Sequence, residues 1–332
     1  MGLGAVGSRS ARQLLSSYAI TDLVVLSRLP ARTAARVDML GSPGVVHLEE
    51  LSRAGFARAL EGARVVLLTG PGPGSGWAMA SLAAGVPVVS VSDDPTEVRS
   101  LLELGPEAAR MGVPLAVGAG MAPGLSCLLA AWAAKSMAEV HEVHIATLGT
   151  GGPACARRRH AALREAVEEW RDGAWQRKVA SSGRELVWFP GHSGADCYRV
   201  NRPDALLLAQ AFPELRWVTT RAAASRRDRM TSWLPMLRPP HPEGTVGAVR
   251  VEVRGANAGA AESVLVGASG RPALLAGAVM AATAVRAANG QLSAGAGGLA
   301  ALVPSPGELL AELSERGVRV MSFEGAAPAP GP

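Results

Sequence analysis

The sequence predicts an α/β chain: a parallel sheet covered by helices on both faces, carrying an inserted α+β domain. Short, wholly apolar runs alternate with helical segments through residue 123, the pattern of strands buried on both sides. The first helix is opened by a glycine pattern, Gly2-Leu3-Gly4-Ala5-Val6-Gly7. Beyond residue 124 partly polar strands, hairpin turns and a Pro-rich stretch replace the buried strands.

Residues 8–18 have helical composition. Strand runs follow at 23–27 and 45–47, with helical segments at 31–38 and 51–60. The run at 63–69 ends in Gly70-Pro71-Gly72-Pro73-Gly74, residues that cannot continue a strand. A helix at 77–84, a strand at 86–91, a helix at 96–109 and a strand at 112–117 complete the alternation. The second half opens with an apolar helix at 124–137 and a strand at 140–148, broken at Gly151-Gly152-Pro153. A charged helix is expected at 155–170, strands at 175–178 and 185–189, a turn-rich loop at 190–194, then a strand at 197–200. A helix at 204–211, a strand at 215–220 and a short helix within the Pro-rich 229–244 region follow. Runs 245–255 and 261–267 flank Ala256-Asn257-Ala258-Gly259 as a hairpin. Helices at 272–288 and 307–316, a strand at 318–323 and an Ala/Pro-rich tail at 326–332, expected to fray, close the chain.

Of 332 residues, 48% are hydrophobic and 18% charged, which excludes a disordered or fibrous chain. The net charge of +5 comes from 33 basic residues, of which only Lys135 and Lys178 are lysines. They are spread without a polybasic tail, so no nucleic-acid partner is expected. The run Arg157-Arg158-Arg159-His160 reads as a solvated face or a small-anion contact. Cys127, Cys155 and Cys197 show neither metal spacing nor a pairing pattern, and no secretory peptide is visible, so a reducing cytoplasm is expected. The uncharged run 111–134 is long enough to cross a bilayer but contains Pro114, Gly118, Gly120, Pro123 and Gly124. It reads as a buried strand, a tight turn and a buried helix, not a membrane span.

Gly2, Gly4 and Gly7 fit G-x-G-x-x-G: a tight turn, close approach of a pyrophosphate to the backbone, and close helix packing. Ligands of such sheets lie beyond the carboxyl ends of the strands, which singles out Gly2–Gly7, Ser27-Arg28, Thr69-Gly70 and Ser92-Asp93-Asp94. Arg28 stands where a carboxylate commonly meets a ribose diol, favouring NADP, with NAD as the second choice. The competing reading makes Arg28 a solvent-facing arginine. Of Asp93 and Asp94, one orients ribose or substrate and the other caps the following helix. Asp93 and Tyr198 are the candidate proton-handling groups, Tyr198 only if its domain folds over the nicotinamide. Packing is the competing role for Tyr198. Arg199 and Arg202 are candidate carboxylate binders, and surface arginines otherwise. His141 and His144 are predicted to face opposite sides of a strand, and no metal is expected. Ser126 lacks a hydrolase context. Only Met1 precedes Gly2, so the first strand of the sheet is truncated or absent. The expectations are a start placed too late and weak cofactor binding by the chain as given.

Val88-Val89-Ser90-Val91-Ser92-Asp93-Asp94, followed by Gly118-Ala119-Gly120-Met121-Ala122-Pro123-Gly124-Leu125-Ser126, resembles the saccharopine dehydrogenase-like NAD(P)-binding proteins over nearly the whole chain. The Thr69-Gly70-Pro71 element resembles that family's loop beside the nicotinamide ribose, and 277–298 with 317–320 resembles its return to the first domain. The resemblance implies a Rossmann-type sheet formed by 1–123 and 272–332, with 124–271 inserted as a domain for substrate and homodimer contacts. It implies an NAD(P)-dependent oxidoreductase of a small polar metabolite, and Arg28 makes NADP the expected cofactor. The family's G-L-D-P-G-I-D-H turn reads Gly120-Met121-Ala122-Pro123-Gly124-Leu125-Ser126-Cys127 here. Loss of those ionisable groups disfavours saccharopine as substrate and points to the uncharacterised bacterial members. It also keeps a second expectation open, a non-catalytic dinucleotide-binding or structural homologue.

Overall fold

A computed structural model describes residues 1–17, 20–41, 45–236 and 240–323. The first unit runs α1 (Ala5–Ser16), β1 (Leu23–Ser27), α2 (Pro30–Asp38), β2 (Val46–Glu50), α3 (Arg53–Leu60), β3 (Val66–Leu68), α4 (Ser75–Ala83), β4 (Val88–Ser90), α5 (Pro95–Leu102), α6 (Gly105–Arg110) and β5 (Pro114–Ala116). The expected single helix at 96–109 is two helices, divided at Gly105-Pro106 because proline has no N–H for the preceding turn. β1 and β2 form one parallel pair, and β3, β4 and β5 run parallel in a second sheet. Met1 and Gly2 lie between the two. Gly2 N–H donates to Leu26 O, and Thr69 N–H donates to Met1 O.

The middle of the chain runs α7 (Leu125–Ala134), β6 (Glu139–Leu148), α8 (Pro153–Ala162), β7 (Val167–Arg171), β8 (Ala174–Lys178), β9 (Glu185–Val187), β10 (Ala195–Arg199), α9 (Asp204–Ala211), β11 (Trp217–Ala223), α10 (Arg226–Thr231), β12 (Gly247–Asn257) and β13 (Ala260–Gly270). It closes with α11 (Pro272–Ala288), β14 (Gly295–Gly297), α12 (Leu299–Leu302), α13 (Pro306–Glu315) and β15 (Val320–Phe323). Nine strands form a mixed sheet whose main path is β15-β13-β12-β6-β11-β10-β9, with the β7–β8 hairpin beside β11. The charged helix stops at Ala162, and residues 167–171 are strand. Asp172 (φ 51°) and Gly173 (φ 78°) form the two-residue turn that folds β7 onto β8. Ala258 and Gly259, both at positive φ, turn the β12–β13 hairpin.

β14 pairs parallel with β5, and α11 lies along α1. A Cβ placed on Gly277 would meet Arg9 Cβ at 2.5 Å, so glycine lets the two helices touch. β15 instead pairs antiparallel with β13. The last strand therefore joins the large sheet, against the expectation that all of 272–332 returns to the parallel one. The tail 326–332 lies outside the described residues.

Leu82, Leu115, Leu125, Leu128, Leu207 and Met280 are fully buried in one core shared by the parallel sheet, α7, α9 and α11. The uncharged run 111–134 becomes β5, a tight turn and α7. Gly124 has φ 125°, and a Cβ there would stand 2.2 Å from Gly120 O. Among the described residues no helix is long and apolar enough to cross a membrane.

Candidate functional site

The N-terminus of α1 is built by its glycines. Gly2 turns at φ 90°, a conformation that costs side-chain-bearing residues energy. A Cβ on Gly7 would lie 2.4 Å from Gly2 O and 3.1 Å from Thr69 Oγ1, so this glycine seats the helix on the turn and on the end of β3. Gly4 caps the helix without a side chain, and a Cβ there would meet nothing within 4 Å. The helix thus offers its first amides and partial positive charge with no acid in its first turn. The single hydrogen of the Thr69 hydroxyl is shared between the carbonyls of Met1 and Gly2, tying β3 to that turn.

Beside this helix end lies a cleft of about 430 Å³ lined by Gly2, Ser27, Arg28, Arg32, Gly70 and Ser92, among others. Ser27 Oγ lies 2.7 Å from Thr33 Oγ1 and accepts the Leu29 N–H, which shapes the bend after β1. Arg28 and Arg32 are exposed, and among the described residues neither makes an ion pair. Glu97 accepts the Gly74 N–H at 2.6 Å and fastens the Gly/Pro loop. No local pattern signals that contact, because it spans 23 residues.

A second, smaller cavity of about 80 Å³ lies where β4, the Gly120–Pro123 turn, α8 and the loop after β10 converge. Val6 of α1 reaches its wall, along with Asp93, Cys155, Arg158, Arg159 and Arg202. Burial pushes the Asp93 carboxyl above the ordinary range, opposed by the charges of Arg202 and Arg158. Arg158 is held bidentately by Glu165 at 2.7 Å and donates to Asn201 O at 3.1 Å. Arg159 pairs with Asp228 at 3.2 Å. Two arginines of the 157–160 run, read as a solvated face or a small-anion contact, thus line the cavity. Burial pushes the Cys155 thiol up to about 12, so it is not a thiolate near neutrality.

The two aspartates divide their roles. Asp94 caps α5, accepting from the amides of Thr96 (2.9 Å) and Glu97 (3.3 Å), while Asp93 lines the cavity. Asp94→Ala should cost about 1 kcal/mol of stability and leave dinucleotide affinity unchanged. Thermal melts beside a binding titration check both halves.

Tyr198 is not brought to this cavity. It packs with Ala162, Leu163, Val200 and Ala222, with the Arg229 guanidinium 4.0 Å from its ring centroid. Strand alternation on β10 sends it toward α8, so the expected proton-donor position is replaced by packing. Arg199 is committed to the buried Glu169 at 2.7 Å, away from the cavity. His144 bonds Thr219 and Glu142, and His141 bonds Glu139. Among the described residues no cluster of three or more His, Cys, Asp or Glu could hold a metal ion.

The fold is Rossmann-type. The homospermidine synthase of Legionella pneumophila, solved with NAD, superposes with a TM-score of 0.71 at 10% identity, over 99% of this chain and 93% of that one. The L-Glu-forming saccharopine dehydrogenase of Saccharomyces cerevisiae gives 0.66 at 13% identity, over 95% and 98%. An amine dehydrogenase of Mycobacterium smegmatis gives 0.50 at 11%, over 90% and 93%. No family model matches the chain, and no curated protein matches it in sequence. At these identities the likeness carries the fold, and the chemistry has to come from the residues.

Proposed function

We propose that the chain is a nicotinamide-dinucleotide-dependent oxidoreductase of a small polar metabolite, preferring NADP to NAD. The observation that carries this reading is the seat of α1. Gly7 has no room for a Cβ, and the uncapped helix end stands at the head of a cleft bearing Arg28 and Arg32. These residues fit a dinucleotide. The first amides of α1 with Gly2 and Gly4 would hold its pyrophosphate. Ser27, Arg28 and Arg32 would hold its adenosine ribose, and Thr69, Gly70 and Ser92 would bound the far end of the cleft. When bound, the cofactor supplies or accepts hydride.

The chain's own contribution is positioning and proton handling. Asp93, with its pKa raised by burial, is the group at the cavity wall suited to carry a proton, and Val6, Met121 and Pro123 supply apolar wall around it. Among the fold neighbours, one was solved with NAD and one is an amine dehydrogenase, which supports a dinucleotide and a small polar substrate. The alternative, a homologue that binds dinucleotide without turnover, is favoured by the turn. Ala122 and Cys127 offer no carboxylate or imidazole there, and burial pushes the Cys127 thiol up to about 12.

Fluorescence titration with NADPH and NADH tests the reading. NADPH should bind more tightly. Arg28→Ala should remove about tenfold of its affinity and leave NADH unchanged. Equal binding of both cofactors by the parent chain, or tighter NADH, would overturn the preference. Binding of neither would overturn the function.

A further inference from the structure

The small cavity holds three arginines, and their partners differ. Arg158 spends its guanidinium on Glu165, Asn201 O and Asp93 O. Arg159 is tied to Asp228 and to the Ala223 carbonyl. Arg202 makes one bond among the described residues: its Nε donates to Asp204 Oδ2 at 3.3 Å. Its two terminal nitrogens are left for the cavity it lines.

Asp204 is fully buried at the start of α9. Its other oxygen, Oδ1, accepts the hydroxyl of Ser126 at 2.5 Å, and Ser126 is fully buried in the first turn of α7. A buried carboxylate is costly unless its lone pairs are met, and here both oxygens are. The bonds form one chain, Ser126 to Asp204 to Arg202, running from the interior of the core to the cavity wall. The Gly120–Gly124 turn delivers Ser126 to one end of it. A planar guanidinium held through Nε presents its two outer N–H groups as a fork that matches a carboxylate.

We propose that Arg202 is the carboxylate-recognising group of the cavity, and that Ser126 and Asp204 are positioning residues that fix its fork. The proposal rests on the functional reading above to the extent that it makes the substrate a carboxylate. Asp93 then stands beside the bound group as the proton carrier, balanced by the same arginine. The serine that interrupts the expected acidic pattern of the turn acts at a distance from the substrate, through Asp204.

The test uses the full chain with glutarate as an unreactive carboxylate probe, inorganic phosphate as a second anion, and NADPH titrated separately. The parent chain should bind glutarate more tightly than phosphate. Arg202→Gln should weaken glutarate by at least about tenfold, and Arg202→Lys should not restore it, because a point charge lacks the fork. Ser126→Ala should weaken it by roughly three- to tenfold in the parent and by nothing further in the Arg202→Gln background, the coupling expected of residues acting as a unit. A purely structural serine would lower the melting temperature equally in both backgrounds and leave glutarate affinity unmoved. Absence of glutarate binding, a preference for phosphate, or full affinity in Arg202→Gln overturns the proposal. Arg202-dependent glutarate binding without NADPH binding would sustain it and overturn the cofactor reading instead.

Discussion

Gly7→Val should abolish dinucleotide binding, lowering NADPH affinity by at least about a hundredfold. The added Cβ would sit 2.4 Å from the Gly2 carbonyl and 3.1 Å from the Thr69 hydroxyl, and neither is the free end of a flexible side chain. Relief requires α1 to lift from β3, which carries its first amides out of the cleft. Gly4→Ala is the informative companion. Its Cβ would meet no protein atom within 4 Å, so the melting temperature should hold, while affinity falls because the methyl occupies the side from which a phosphate approaches. Fluorescence titration with circular dichroism separates the two. A Gly7→Val protein that folds and still binds NADPH normally would remove the α1 seat from the site.

Asp93→Asn should lower turnover by roughly a hundredfold or more while leaving NADPH affinity within about a factor of two. If Asp93 donates the proton in the reducing direction, kcat/KM of the parent falls as pH rises through its raised pKa. The asparagine variant should lose that limb. The same carboxyl leaves a mark on stability. Its folded pKa lies above the ordinary value of 3.8, so the folded chain holds this proton more tightly than the unfolded one. The stabilisation is full below pH 3.8 and is lost as pH rises through the raised value. Asp93→Asn should remove this slope from denaturant melts taken across that window. An unchanged rate and an unchanged slope would show Asp93 to be spectator rather than proton carrier.

The parallel half of the fold is legible because buried strands leave apolar runs, and the runs 23–27, 63–69 and 86–91 lead into Ser27-Arg28, Gly70 and Ser92 at the cleft. Residues 167–170 read as helix in the sequence because they continue the charge density of α8, whereas Val167–Arg171 is strand. The signal that decides the matter is local, the Asp172-Gly173 pair, whose two positive φ values belong to a hairpin. The site was legible only along the chain. Gly2, Arg28, Gly70 and Ser92 announce themselves by position in the βα pattern. Arg202 and Asp204 were visible as residues, but their alliance with Ser126 joins positions 78 apart and leaves no spacing to read. For Tyr198 the sequence leaves two roles open, proton donor or packing, because which neighbours a strand face meets is set by distant elements; the structure packs it with Ala162, Leu163, Val200 and Ala222.

The contact between Gly277 and Arg9 bears on how this sequence can drift. Aromatic residues make up only 4% of the chain, against 39 glycines, and Ala276, Gly277, Ala281 and Ala284 are buried on α11 beside Leu275, Val279 and Met280. The four small residues have almost nothing to lose by truncation, since there are few methylenes to delete at these positions. Position 277 has no slack for growth, because an added Cβ meets Arg9 Cβ at 2.5 Å and the main chain of Arg9 and Ser10 at 3.1 Å, none of which can rotate away. Tolerance is therefore one-sided. A methyl gained at position 277, remote in sequence from every residue of the cleft, would act on α1 as on a lever, and the end that moves is the one carrying Gly4.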